Sequence, residues 1–209
     1  MEEKLDNKLP CLLISFVVDN GPSMDEARLN DLMSAFARFV NEQGTVRVEW
    51  ELLCFDAFSP AVIKSFDRDE IESVQAKRFP LLGRTVLTAA ERLLARFNAL
   101  CEGGEELYRP WMFLLSDGFT VDDMSQAAAR LDEMERGGAL LYLPFKLTPK
   151  LVTERLQCLD RNKHIVEIKE GRIGDFFAFV QRMIEQRGAL SPDVGIKFAK
   201  SDFEGWAVL

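Results

Sequence analysis

Three separated stretches of this 209-residue chain set small oxygen-bearing side chains at the ends of apolar runs. Asp19-Asn20-Gly21-Pro22-Ser23-Met24 follows the run from Leu12 to Val18. Leu82-Gly83-Arg84-Thr85 opens a stretch of helical period. Ser116-Asp117-Gly118 closes the run from Trp111 to Leu115. Asp19, Ser23, Thr85 and Asp117 together make two carboxylates and two hydroxyls. These are the ligand types a hard divalent cation takes in near-octahedral geometry while keeping some of its water. Each fragment also has an ordinary explanation. Ser23 or Asp25 can cap the helix that carries Leu29, Thr85 the helix that carries Leu87, and Asp117-Gly118 can simply turn the chain after a strand. Three such fragments in separate loops are more specific than any one of them.

For those loops to meet, the apolar runs must be strands of one sheet. Leu12 to Val18 is apolar almost throughout, as expected of a central parallel strand buried on both faces. Val46 to Cys54 alternates with Arg47, Glu49 and Glu51, which predicts a strand with one face in water over its first half. Further strands are expected at Ala61 to Phe66, Trp111 to Leu115, Leu140 to Phe145 and His164 to Ile168. Helical stripes run through Leu29–Val40, Leu87–Leu100, Met124–Met134 and Phe176–Ile184, and Thr148-Pro149 opens another helix. Strands alternating with helices predict a doubly wound, Rossmann-like α/β/α sandwich. Its sheet has six mostly parallel strands and one antiparallel edge strand. Such sheets bind ligands beyond the carboxyl ends of the strands, where the strand order reverses. If the Leu12 and Trp111 strands are neighbours there, Asp19 and Asp117 lie side by side. Residues 1–10 read as a polar N-terminal segment, 11–187 as the domain and 188–209 as a tail. Phe198, Phe203 and Trp206 should dock that tail on its own domain, a neighbouring copy or a partner.

Composition narrows the partners. A formal charge of −8 offers no basic stripe for nucleic acid and no attraction to an anionic membrane. Cys11, Cys54, Cys101 and Cys158 are scattered without metal-ligand spacing, as expected of reduced thiols in a cytoplasm. Met1 to Lys8 shows no signal-peptide core, which agrees with that address. No glycine-rich phosphate cradle is present. His164 is the single histidine, far in sequence from the loops above, so the usual Ser-His and Cys-His nucleophile pairs are missing and no enzyme is expected.

The order Asp19 to Ser23, then Gly83-Arg84-Thr85, then Ser116-Asp117-Gly118 resembles the metal-ion-dependent adhesion site of von Willebrand factor type A domains. That family carries Asp-x-Ser-x-Ser after its first strand, a Thr in a later loop and an Asp ending its fourth strand. Leu53-Cys54-Phe55-Asp56, Arg109-Pro110-Trp111 through Gly118, Asp122-Asp123 and Phe176-Phe177 look like the bacterial TerY-like branch, associated with tellurite resistance and stress. The resemblance spans about residues 10 to 187. It implies a vWA fold and a Mg²⁺ or Mn²⁺ site made by Asp19, Ser23, Thr85 and Asp117. It also implies a protein-interaction role in which a partner's acidic side chain completes the metal's coordination. Co-encoded kinases or phosphatases are among the partners it suggests. Met24, Arg84 and Phe119 would form the partner-binding rim. Gly21 stands where the family has a metal-binding Ser, so the site is degenerate by one ligand. The rival reading is a Mg²⁺-dependent phosphohydrolase built on Asp19, Asp117, Asp122 and Asp123. It lacks an evident general base, and Arg84 is the sole basic residue suited to phosphate.

Overall fold

Burial on both faces dictates the centre of the molecule. In the computed structural model every residue of β1 (Cys11–Val18) is buried. The residues described are 9–21, 25–41, 46–54, 61–64, 66, 81–147, 156–160, 165–190 and 198–208. After β1 come α1 (Glu26–Asn41), β2 (Arg47–Cys54), β3 (Ala61–Lys64), α2 (Leu82–Glu102) and β4 (Trp111–Ser116). They are followed by α3 (Ser125–Arg136), β5 (Leu141–Lys146), β6 (Val166–Ile168), α4 (Ile173–Gly188), a 3-10 turn (Lys200–Phe203) and β7 (Ala207–Val208). The sheet order is β3-β2-β1-β4-β5-β6-β7.

The fold class is the expected α/β sandwich. β2, β1, β4, β5 and β6 are parallel, and β3 is the antiparallel edge strand. To the six strands read from the sequence, two residues of the tail add a short seventh, antiparallel to β6. Thr148-Pro149 and His164 lie outside the described residues, while the far end of the helix expected to open at Thr148-Pro149 is helical at Leu156 and Gln157, with Leu156 and Leu159 buried.

Alternation along β1 separates two cores. Leu12, Ile14, Phe16 and Val18 face α1 and α4, while Cys11, Leu13 and Val17 face α2 and α3. The α1–α4 side is aromatic. Phe16 lies 5.3 Å from Phe113 and 5.4 Å from Phe36, ring centre to ring centre, and Phe145 lies 4.9 Å from Phe176. Nine of the described phenylalanines are buried, in keeping with the core use that sixteen of them against two tyrosines suggests. Phe203 and Trp206 of the tail are buried on the same side, 5.1 and 5.4 Å from Phe179. The Trp206 indole donates to the Asp202 carbonyl at 2.8 Å, which satisfies its one polar atom.

The α2–α3 side differs from its sequence reading. Glu51 does not face water; it is fully buried beneath α2, where Arg92 pairs with it at 2.6 Å. One turn on, Arg96 pairs with Glu49 at 2.9 Å, and Arg47 reaches Glu105 at 2.6 Å. Ser15 of β1 also donates to Glu51, at 3.4 Å. Strand alternation alone could not reveal this, because a polar face reads the same whether water or an arginine-bearing helix covers it.

Two outcomes follow from this packing. Arg92→Ala leaves the Glu51 carboxylate buried without its main counter-charge. It should lower unfolding free energy by roughly 2–4 kcal/mol in urea titration, less than for a fully buried pair because Arg92 is itself part-exposed. Deleting residues 191–209 removes Phe203 and Trp206 from the core. Calorimetry should show a clear fall in melting temperature, equivalent to about 3–6 kcal/mol for two large side chains. An unchanged melting temperature would show that the tail contributes nothing to the core.

Candidate cation site at the strand ends

β1 pairs with β2 on one side and β4 on the other, and this is where the strand order reverses. Val18 is in register with Leu115, so the chain leaves both strands at the same level. Asp19 N–H then donates to the Leu115 carbonyl at 2.8 Å, extending the ladder into the loop. Asp19 and Asp117 come together, both buried.

Each Asp19 oxygen has partners. Oδ1 accepts from the Gly21 N–H at 2.7 Å. Oδ2 accepts from the Ser116 hydroxyl at 2.8 Å and from the Asp117 N–H at 3.4 Å. Asp117 is less complete. Its Oδ1 accepts from the Phe119 N–H at 2.6 Å, closing a turn that needs Gly118 at φ +84°. Its Oδ2 is buried and accepts no hydrogen bond. Burial, and then the Asp117 charge, hold the Asp19 carboxyl well above the ordinary carboxylate range. The Gly21 and Ser116 donors act in the opposite direction. A buried acceptor without a donor beside a second buried carboxylate is a disfavoured arrangement in an empty protein. A divalent cation relieves both faults at once, so the residues present fit such an ion.

Thr85 is buried but does not cap α2. The helix starts at Leu82, and Thr85 lies in its first turn with its hydroxyl donating to the Leu81 carbonyl at 2.8 Å. The hydroxyl oxygen keeps lone pairs for a further contact. At α1 the cap is Asp25, whose Oδ1 accepts from the Arg28 N–H at 2.8 Å. Ser23 and Met24 lie outside the described residues. On the rim, Arg84 is exposed, as are Phe119 at 43% and Val121 at 56%.

The four aspartates of the phosphohydrolase reading do not share one place. Asp122 accepts from the Gly83 and Arg84 N–H groups at 3.3 and 2.9 Å, at the head of α2. Asp123 is exposed, and the Ser125 N–H and hydroxyl hold it below the usual carboxylate range. Among the described residues no three carboxylate, imidazole or thiol groups cluster. Two polar residues beside the site carry no role of their own in the sequence reading, Ser116 on Asp19 and Thr120 on α2, and Asp122, read there only as a phosphohydrolase aspartate, joins Thr120 at the head of α2. Thr120-x-Asp122 spacing just after a strand-end Asp is the one signal that could have pointed to the last two.

No family model matches the chain, and no curated protein matches it by sequence. Solved structures do match, and the fold they share with this chain is von Willebrand factor A-like. Proximal thread matrix protein 1 of the mussel byssus, in its crystal form 2, is 10% identical with a TM-score of 0.61 over 85% of this chain and 48% of that one. The same protein with a zinc-occupied MIDAS motif gives 14% and 0.60 over 84% and 46%. A further structure of it gives 13% and 0.54 over 88% and 47%. The chain thus spans about half the length of these proteins, and at such identities the likeness is one of fold.

The raised Asp19 value has a signed consequence. Without cation, the folded protein holds this proton more tightly than the unfolded chain does. The associated stability is full below the ordinary carboxylate pKa, near 4, and is lost as pH rises through the folded value. Asp19→Asn removes that titration. Between pH 5 and 8 in chelator, wild type should lose roughly 1–3 kcal/mol relative to Asp19→Asn. Parallel pH slopes for the two proteins in thermal melts would show that the pair carries no such strain.

Proposed function

We propose that this protein is a protein-interaction module whose strand-end loops hold a divalent cation, Mg²⁺ or Mn²⁺. The observation that carries the reading is the buried Asp19–Asp117 pair, with Asp117 Oδ2 left without a donor. Asp19, Ser23, Thr85 and Asp117 would hold the ion, and Gly21 leaves one position to water. A bound cation would supply a coordination position for a partner's carboxylate. Ser116 and the Gly21 N–H orient Asp19, and the Phe119 N–H orients Asp117.

The fold likeness to a protein whose MIDAS motif takes zinc supports a divalent ion in this position. Exposed Phe119, Val121 and Arg84 around the pair support a protein partner. The TerY-like resemblance of the sequence supports a partner within a bacterial stress or tellurite-resistance system, such as a co-encoded kinase or phosphatase, and with it a cytoplasmic setting. Among the described residues no helix is long and apolar enough to cross a membrane.

Calorimetric titration with Mn²⁺ tests the reading through the missing ligand. Gly21→Ser restores a hydroxyl and should tighten binding about tenfold to a hundredfold, on the order of 1–3 kcal/mol. Asp117→Ala should abolish binding in both backgrounds. Circular dichroism must show each variant folded, because serine is not free to adopt every glycine conformation. A folded Gly21→Ser protein that binds no better than wild type would sink the degenerate-site account.

A further inference from the structure

Two of the loops that carry the candidate ligands are joined by polar contacts that no ligand role explains. The first N–H groups of a helix have no acceptor within it. In α2 that duty falls to the other loop. Leu82 N–H donates to Thr120 Oγ1 at 3.0 Å, and Gly83 and Arg84 donate to the two oxygens of Asp122 at 3.3 and 2.9 Å. The Thr120 hydroxyl itself donates to Asp122. Leu81, at the capping position, contributes no side-chain bond. The helix is therefore capped from across the site, by the loop that begins with Asp117.

The join is close. A Cβ on Gly83 would lie 2.9 Å from the Asp123 carbonyl oxygen and 3.0 Å from the Met124 Cα, so the two backbones meet where only glycine fits. One carboxylate across the head of α2 also opposes the positive pole of its dipole. Thr85 hangs on the same turn, its N–H and hydroxyl both bonded to the Leu81 carbonyl. At the far end of the loop Asp117 Oδ1 holds Phe119 N–H. Between these anchors Thr120 points in and is buried, while Phe119 and Val121 point out.

We propose that Thr120 and Asp122 are positioning residues of the strand-end site: their clasp on α2 fixes the helix turn that carries Thr85 and holds the Asp117 turn in shape. This rests on the cation reading above for its effect on metal affinity, but not for its effect on the loop. Asp122 so placed is a structural partner of the site and not one of its ligands.

Asp122→Ala and Thr120→Val are the informative variants, with Asp122→Asn, which keeps one acceptor, as the conservative control. Each is followed by Mn²⁺ titration, thermal melting and amide hydrogen exchange in chelator. Asp122→Ala should weaken Mn²⁺ about tenfold to a hundredfold, the range found when residues that orient metal ligands are lost. Asp122→Asn should fall between it and wild type. Exchange should quicken at Leu82, Gly83 and Arg84 and also at Phe119, while amides of β1 keep their protection. Protection retained at Phe119 while the α2 amides exchange freely would reduce the clasp to a helix cap and overturn the proposal. Unchanged Mn²⁺ affinity in a folded Asp122→Ala or Thr120→Val protein would overturn it as well. If wild type itself binds no Mn²⁺, the cation reading fails, and the Phe119 amide still decides whether Asp122 shapes the Asp117 turn.

Discussion

Two buried carboxylates side by side are the constraint around which this structure is arranged. Asp19 and Asp117 repel one another in a place from which water is largely excluded, and nothing in the apolar core repays that cost. They stay together because β1 and β4 are adjacent parallel strands of equal reach, each buried throughout. Partial relief comes from the Ser116 hydroxyl and the Gly21, Asp117 and Phe119 N–H groups. One oxygen, Asp117 Oδ2, remains without a donor. The rigidity of the sheet thus holds an arrangement that the local chemistry resists, as is common where a site is kept ready for a ligand.

The two faces of the sheet contribute differently. Aromatic packing under α1 and α4 supplies bulk and a tight, directional fit through rings of Phe16, Phe113, Phe145 and Phe176. Under α2 the contacts are smaller apolar side chains plus charge. Arg92 and Arg96, one turn apart, sit over Glu51 and Glu49 of β2. Part-buried ion pairs of this kind are poor sources of net stability but strict about geometry. They set where α2 lies along the sheet, and so where its first turn, with Thr85, meets the loop from β4. The electrostatics of the core and those of the site are linked through one helix.

Gly21, which stands where the resembled family has a Ser, offers no side-chain oxygen, but its backbone N–H bonds Asp19 at 2.7 Å. On the cation reading proposed above, the loop keeps the means to orient its carboxylate with one ligand fewer. Such a change weakens a hard-cation site without dismantling it, since Mg²⁺ and Mn²⁺ readily retain water.

Much of this was legible in the sequence, and for plain reasons. An unbroken apolar run such as Leu12 to Val18 has one economical use, as a strand covered on both faces, and helical stripes between such runs demand crossovers. That logic gave the layers and one antiparallel edge strand, while the adjacency of Asp19 and Asp117 was conditional on the Leu12 and Trp111 strands being neighbours, which the sheet order decides. Side-chain roles were harder, because they depend on what lies across a gap and not along the chain. Glu51 read as solvated until Arg92 was seen over it, 41 residues away in sequence. Capping was the ordinary explanation open to Thr85 beside its ligand reading, yet the capping groups come from Thr120 and Asp122 on another loop. Local pattern determines which segments become strands and helices; only the tertiary fold decides which charge meets which, because those meetings are set by strand order and helix placement.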